Sequence, residues 1–422
     1  MSSSAPVPSG RADGPLPSPW AHVARVAAAL AAGMGVGRFV YTPILPLMHA
    51  QAGLSTDAGA HLATANYAGY LIGALAGTLS PALVRSRATL RGALVLLICT
   101  LAAMPATHST ELWLTLRLSA GAASALIFVV AVNSLLGHLR DHPPHLPGWG
   151  FGGVGAGIAL SGLLVLALRP VADWRTAWWA SAALAVVLAA ASWNLRPEVP
   201  AATASAAPVS AAHMSQAPAP TADRRFAVLF ASYTLEGVGY IVAGTFLVAA
   251  IAQGSPGWIG GGAWVLVGLA AVPSSALWAR LGDRWSRPGL LLLVALVIQA
   301  VGIALPALVG GVAAALVSAL LFGATFIGVS TLALATGTQL RFPRSVALLT
   351  AGYSVGQILG PLAVAPLLRH GYRPALLLAA LVVLAAAVAA AVLRAGFPHH
   401  AVAVRHSVPE QARRTAPTDA GR

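Results

Sequence analysis

Apolar runs of about twenty residues follow one another from residue 22 to residue 394, and each is long enough to cross a hydrocarbon core of about 30 Å. No water inside a bilayer satisfies free backbone groups, so each run must close its own hydrogen bonds as a helix. Only 9% of the 422 residues are charged and 58% are hydrophobic, where soluble domains carry roughly 25% charged residues. The 43 glycines and 29 prolines fit the same class, because both are commoner in spans than in soluble helices. The expected fold class is an all-α membrane protein with twelve transmembrane helices. Their expected bounds are 22–49, 60–84, 90–108, 112–138, 149–169, 175–195, 226–252, 260–281, 288–308, 311–338, 345–368 and 374–394.

Between the sixth and seventh runs lies "RPEVPAATASAAPVSAAHMSQAPAPTADRR", residues 196–225. It is rich in Pro, Ala and Ser and reads as a linker. The expected domains are a tail over 1–21, a six-helix bundle over 22–195, the linker 196–225, a second six-helix bundle over 226–394 and a tail over 395–422. The first 20 residues lack the charged-then-apolar order of a secretory signal and read as a disordered tail. With both termini inside, twelve loop arginines between Arg85 and Arg344 fall on the cytoplasmic side, against Arg169, Arg175, Arg369 and Arg373 outside. That is the positive-inside pattern, so the tails and linker are placed in the cytoplasm and the chain in a bacterial inner membrane.

Every one of the 25 basic residues is Arg. Without lysine there is no P-loop for ATP-driven transport and no Schiff base for a retinal pump. The formal charge of +14 is scattered through loops, so no nucleic-acid partner is implied. Cys99, the single cysteine, can form no internal disulfide. "GHLRDHPPH" gathers His138, Asp141, His142 and His145, yet Pro143 and Pro144 break the helix that would align them, and a solvated loop is expected there. Neither a metal nor a cofactor is implied.

A repeat is visible. "GVGRFV" from Gly35 matches "GVGYIV" from Gly237, 202 positions on, and Gly121 and Gly323 are separated by the same 202. "DWRTA" from Asp173 parallels "GYRPA" from Gly371. Two parallel six-helix halves with a site between them describe a secondary transporter.

At these residues a family resemblance enters. "ARLGDRWSRPG", residues 279–289, resembles the loop signature of the major facilitator superfamily, and "LVRSRATLR", residues 83–91, resembles its first-half counterpart without the Asp. "RLSAGAASA" from Arg117 resembles the fourth-helix pattern of Arg followed four residues later by Gly. The glycine-rich "GFGGVGAGIALSG", residues 150–162, lacks the Gly-Pro associated with antiporters, although "GQILGP", residues 356–361, has one. "GVGRFVYTPILPLM" and "ATANYAGYLIGALAG" look most like the poorly characterised YbfB/YjiJ-type branch. The resemblance implies two pseudo-symmetric bundles, with the first and seventh helices facing each other across the centre, and a monomer among membrane lipids.

Three charged residues lie well inside spans: Arg38, Arg117 and Glu236. Intramembrane ions are costly and usually functional. Arg38, Tyr41 and Thr42 share a helix face, with Pro43 and Pro46 expected to bend the outer half of that helix. Asn66 and Tyr70 share one on the second helix, Ser232, Tyr233, Glu236 and Tyr240 one on the seventh, and Tyr353 and Gln357 one on the eleventh. The expected solute-binding set is therefore Arg38, Tyr41, Thr42, Asn66, Tyr70, Tyr233, Tyr240, Tyr353 and Gln357. Arg38 favours a solute with a carboxylate. Glu236 is the expected proton carrier, and Arg117 joins it in coupling by the superfamily resemblance. The competing readings are a fixed Arg38–Glu236 or Arg38–carbonyl pair that holds the halves together and, for Arg117, helix packing, snorkelling or pairing with Glu111. Asp283, Arg284 and Arg287 lie too near the surface for solute and read as a cytoplasmic gate latch.

Gly69, Gly73 and Gly77, like Gly153, Gly157 and Gly162, read as close helix contacts. Tyr67, Trp113, Trp149, Trp174, Trp178 and Trp179 read as interfacial anchors. The function expected is a proton-coupled secondary transporter of a small organic solute, working by alternating access. The alternative is a non-transporting sensor or scaffold that keeps the fold. An enzyme is not expected, because no paired carboxylates or nucleophile–base set appears at membrane depth.

Overall fold

The computed structural model describes residues 19–139, 142, 146–197, 220–255, 257–285, 288–340, 342 and 344–395. Each apolar run is a helix. The first, α1, spans Pro19–Gln51 and is broken in its middle. Eleven more follow: α2 Thr56–Leu79, α3 Arg87–Ala103, α4 Thr110–His138, α5 Leu146–Leu168, α6 Trp174–Ser192, α7 Pro220–Gly254, α8 Gly257–Trp285, α9 Pro288–Leu308, α10 Gly311–Gln339, α11 Ser345–Leu368 and α12 Tyr372–Ala395. Helices start earlier than the hydropathy suggests, α1 at Pro19 and α7 at Pro220. Hydropathy marks the bilayer core, whereas the helix continues into the polar interface through Asp223, Arg224 and Arg225. Eleven of the twelve are apolar enough to span by composition. The exception, α2, carries Asn66, Tyr67 and Tyr70 on a buried face, while Ile72, Leu75 and Leu79 face outward.

Starts are set by short polar side chains. Ser55, Ser86, Ser109 and Asp173 each accept a hydrogen bond from a first-turn amide of α2, α3, α4 and α6, satisfying donors that a helix cannot pair itself. Successive helices run in opposite directions, so the two described termini lie at one end of the bundle, called here the terminal end.

Small residues fix the packing. A Cβ on Gly69 would sit 1.9 Å from the Leu118 carbonyl oxygen, and one on Gly121 1.9 Å from that of Asn66, so α2 and α4 touch backbone to backbone. The second half repeats this, with Gly323 of α10 against the Val267 carbonyl of α8 at 2.3 Å. Helix α5 uses two glycine edges. Gly153 and Gly157 meet Ala27, Ala31 and Gly35 of α1, while Gly148, Gly152 and Gly155 meet α8 in the other half. The halves also join along α2 and α11 and along α1 and α7. At the α1–α7 seam Thr42 Oγ1 donates to the Gly244 carbonyl at 2.5 Å, across a sequence separation of 202. A residue that touches its own repeat equivalent marks the pseudo-two-fold axis.

Two expectations about aromatic residues change. Trp113, Trp174 and Trp178 are buried, not interfacial. Trp113 and Trp174 pack edge to face at 5.7 Å, with the Trp113 indole donating to the Met104 carbonyl. Their nearness to span ends was a matter of sequence; their direction is set by the packing of α6 on α3 and on the turn at Met104–Ala106 that leads into α4. Tyr67 is likewise buried, at the centre. Trp179 does face outward, at 54% exposure.

Candidate functional site

The break in α1 builds the site. Residues Ala31–Val36 form a wide π-turn, a bend of four residues follows, and the helix restarts at Tyr41. The restart puts Pro43 in a first turn, where a missing N–H costs little. The irregularity also takes the Thr42 amide to the Phe39 carbonyl, away from the Arg38 carbonyl it would serve in a regular helix. Arg117 of α4 repairs this. Its Nη1 donates to the Gly37 carbonyl and its Nη2 to the Arg38 carbonyl, each at 3.2 Å. Arg117 is 1% exposed and lies over the Tyr41 ring at 4.9 Å. It neither snorkels nor pairs with Glu111. Asn66 Nδ2 donates to the Arg117 carbonyl at 2.9 Å, and Tyr41 donates to the Gly59 carbonyl at 2.9 Å.

Held this way, Arg38 projects into the seam between the halves, 2% exposed. Its guanidinium lies 4.3 Å from the Tyr70 ring centroid and 4.8 Å from that of Tyr67, a cation–π embrace. Its Nη2 donates to Gln357 Oε1 on α11, and its buried Nε has no partner among the described residues. Gln357 Nε2 donates to the Tyr240 hydroxyl at 3.3 Å. Tyr240 stacks on Phe326 at 5.3 Å and on Tyr353 at 5.4 Å, and Tyr353 stacks on Tyr233 at 4.4 Å. The centre is thus a close-packed knot of one cation, one amide and aromatic rings. Among the described residues no carboxylate pairs with Arg38, so the fixed Arg38–Glu236 pair is not formed.

Glu236 sits one turn along α7 from Tyr240, fully buried, and neither carboxylate oxygen has a hydrogen-bond partner among the described residues. Gln299 of α9 faces it, itself fully buried and with neither amide atom in a well-formed hydrogen bond among the described residues. Ser232, on the same helix, turns away and donates to the Ala386 carbonyl of α12. The structure therefore separates two polar centres, Arg38 with Gln357 on the seam and Glu236 with Gln299 inside the second half.

At the end opposite the termini the halves are tied shut. Besides the Thr42–Gly244 bond, the Tyr67 hydroxyl meets Thr245 Oγ1 at 2.7 Å, His49 Nε2 meets the Tyr372 hydroxyl at 3.2 Å, and Arg369 pairs with Asp57 at 3.0 Å. Toward the terminal end the lining loosens, and Phe128, Phe151 and Tyr353 are only half-buried. A shallow recess at the opposite end, lined by Pro43, Pro46, Val165, Arg169 and Val248, is mostly apolar and lies apart from the knot. Asp283 and Arg284 are exposed at the end of α8 and make no ion pair among the described residues; Arg287 lies outside the described residues, as do Asp141 and His145.

Of the residues the sequence groups by helix face, the structure brings Arg38, Tyr70, Tyr240, Tyr353 and Gln357 together. Sequence reasoning missed Gln299 and Thr245, and placed Tyr67 at the membrane surface. A signal for Gln299 existed: it is the single strongly polar residue in "GLLLLVALVIQAVGIALPAL". Thr245 and Tyr67 gave none, because each is defined by a partner about 180 residues away.

Twelve helices in two pseudo-symmetric halves, closed around a buried cation on the seam between them, are the architecture of a secondary transporter. The chain belongs to the family described as uncharacterised MFS-type transporter YbfB, whose model matches residues 30–392. Comparison with curated proteins returns no match. Among solved structures, a single-residue mutant of the nucleoside transporter NupG is similar in fold, with a TM-score of 0.64 and 14% identity, over 88% of this chain and 99% of that one. The protein is a multi-pass membrane transporter for a small solute, not an enzyme.

Proposed function

We propose that the protein is a proton-coupled transporter of a small organic anion, a carboxylate by preference, working by alternating access between bundles 22–195 and 226–394. The tails and linker lie in the cytoplasm of a bacterial inner membrane, and the conformation described is occluded and sealed to the outside. The protein works as a monomer, and protons are its second substrate.

One observation carries the anion reading: Arg38 is a buried cation on the seam whose only hydrogen-bond partner among the described residues is a neutral amide. Burying an unpaired charge is costly, and an anionic solute relieves that cost while it is bound. Tyr70, Tyr67 and Phe39 around the guanidinium suit a solute with an apolar or planar body. Tyr41, Thr42 and Asn66 have hydrogen bonds to backbone, and their part is to hold the helices that present Arg38. Glu236 is the proton carrier: a fully buried carboxyl beside Gln299 in the second half, it takes up and gives up its proton as alternating access opens it to each side in turn. The Asp283–Arg284–Arg287 cluster latches the cytoplasmic side in the opposite state.

The ladder of Tyr233, Tyr353, Tyr240 and Phe326 favours a second reading, an uncharged solute with a flat ring such as a nucleoside. Thermal unfolding of the purified protein against benzoate, lactate, benzamide, glucose and adenosine separates the two. Carboxylates raise the melting temperature of the wild type and not of Arg38→Gln. An equal shift in both proteins, or a shift with adenosine alone, refutes the anion reading.

A further inference from the structure

We propose that Gln357 is an internal stand-in for the cargo: its carboxamide occupies half of the guanidinium edge that a solute carboxylate takes, and its displacement unfastens α1 from α11. This rests on the reading of Arg38 as the anion site.

The side-on edge of an arginine is made by Nε–H and one Nη, and a carboxylate takes both at once. At Arg38 the Nη2 end of that edge is held by Gln357 Oε1, while the Nε end is buried and bare. An amide offers this edge one neutral oxygen. A carboxylate offers two and carries charge, so it outcompetes the amide when it arrives. The close packing has the same meaning: Gln357 is 1% exposed and fills the place where cargo binds.

The displaced amide has consequences beyond the site. Arg38 belongs to α1 of the first half and Gln357 to α11 of the second, so their bond is a fastener between the halves. Gln357 also donates to Tyr240 at 3.3 Å, and Tyr240 lies on the helix of Glu236. Cargo that frees Gln357 therefore loosens the seam and disturbs the helix that carries the proton in one event. The transporter without cargo is held in the closed form by an imitation of its own substrate, so opening with only a proton bound is disfavoured and proton leak is limited.

The test uses the full chain with Cys99→Ser, spin-labelled at Ala106 and Val309 across the end opposite the termini, with benzoate as probe and benzamide as its neutral control. Gln357→Leu, close in size but without the acceptor, shifts the distance distribution toward the wide form without any ligand. It also binds benzoate about tenfold more tightly than the parent. Gln357→Glu supplies a permanent carboxylate, narrows the distribution and abolishes benzoate binding. Arg38→Met widens the distribution like Gln357→Leu but binds no benzoate. Should Gln357→Leu bind benzoate no more tightly, or less, Gln357 is an ordinary cargo contact and the stand-in is overturned. Should no protein respond to benzoate, the anion reading of Arg38 fails, and the distances alone then decide whether the fastener exists. A loss of fold in Gln357→Leu is met by Gln357→Asn, whose shortened amide cannot reach Arg38 and gives the same gain in affinity.

Discussion

Arg117 is committed to the Gly37 and Arg38 carbonyls and not to the guanidinium edge proposed for solute, yet its removal is expected to weaken solute binding. Its two donor bonds, each 3.2 Å, hold the Gly37 and Arg38 carbonyls at the break in α1. A hydrogen bond to a charged group contributes roughly 1.5–3 kcal/mol. Arg117→Met removes both bonds and leaves two buried carbonyls short of a donor. It also removes the cost of burying a guanidinium, which offsets several kcal/mol of that loss. The net expectation is a destabilisation of about 2 kcal/mol, roughly 30-fold in the unfolding equilibrium. Because the freed carbonyls belong to the segment that aims Arg38, benzoate binding falls at least tenfold, and both counterflow and proton-driven uptake are lost. Arg117→Lys keeps the charge with a shorter reach and one compact donor, and recovers part of the stability. Unfolding of the purified variants and proteoliposome flux, with and without a pH gradient, measure all of this. A direct role in proton coupling gives a different pattern: normal stability, normal counterflow and loss of proton-driven uptake alone. If Arg117→Met stays within about 0.5 kcal/mol of the wild type and shows that pattern, the positioning argument is wrong.

Glu236→Gln is expected to keep counterflow and lose acceleration by a pH gradient, since the amide cannot exchange a proton; unchanged gradient dependence in flux assays would remove Glu236 from the mechanism. Gly121→Ala places a methyl group 1.9 Å from the Asn66 carbonyl, forcing α2 from α4 at a cost of about 1–3 kcal/mol, measured by thermal unfolding, whereas Gly92→Ala, in the interior of α3 with nothing within 4 Å, serves as the clash-free control and stabilises by up to about 1 kcal/mol. Asp173 caps α6 by accepting from the Thr176 amide and hydroxyl at 2.8 Å, which holds its carboxyl below the usual range. Asp173→Ala should cost about 1 kcal/mol. That contribution is complete above the unfolded carboxyl value near 3.9 and is lost as pH falls through the lower folded value, so the melting temperatures of variant and wild type should converge in strong acid and differ at neutral pH.

The sequence alone determined the solvent, the number of helices and the repeat. Lipid leaves a twenty-residue apolar run one way to satisfy its backbone, so composition decides secondary structure here more completely than it does in water. It also named the costly residues, because a charge such as Arg38 or Glu236 in an apolar run is conspicuous without any coordinates. What it could not determine is where each side chain points once helices from distant parts of the chain meet. Nothing in "RFVYT" says that Arg38 will find Gln357, 319 positions on, or that Arg117 will be spent on α1 carbonyls. Only the tertiary structure moved Tyr67, Trp113 and Trp174 from the membrane surface to the interior and parted Glu236 from Arg38 into a separate centre. The physical reason is that helix formation in a membrane is local, whereas the pairing of buried polar groups depends on close approach, which glycines such as Gly69, Gly121 and Gly155 permit only at particular registers between helices.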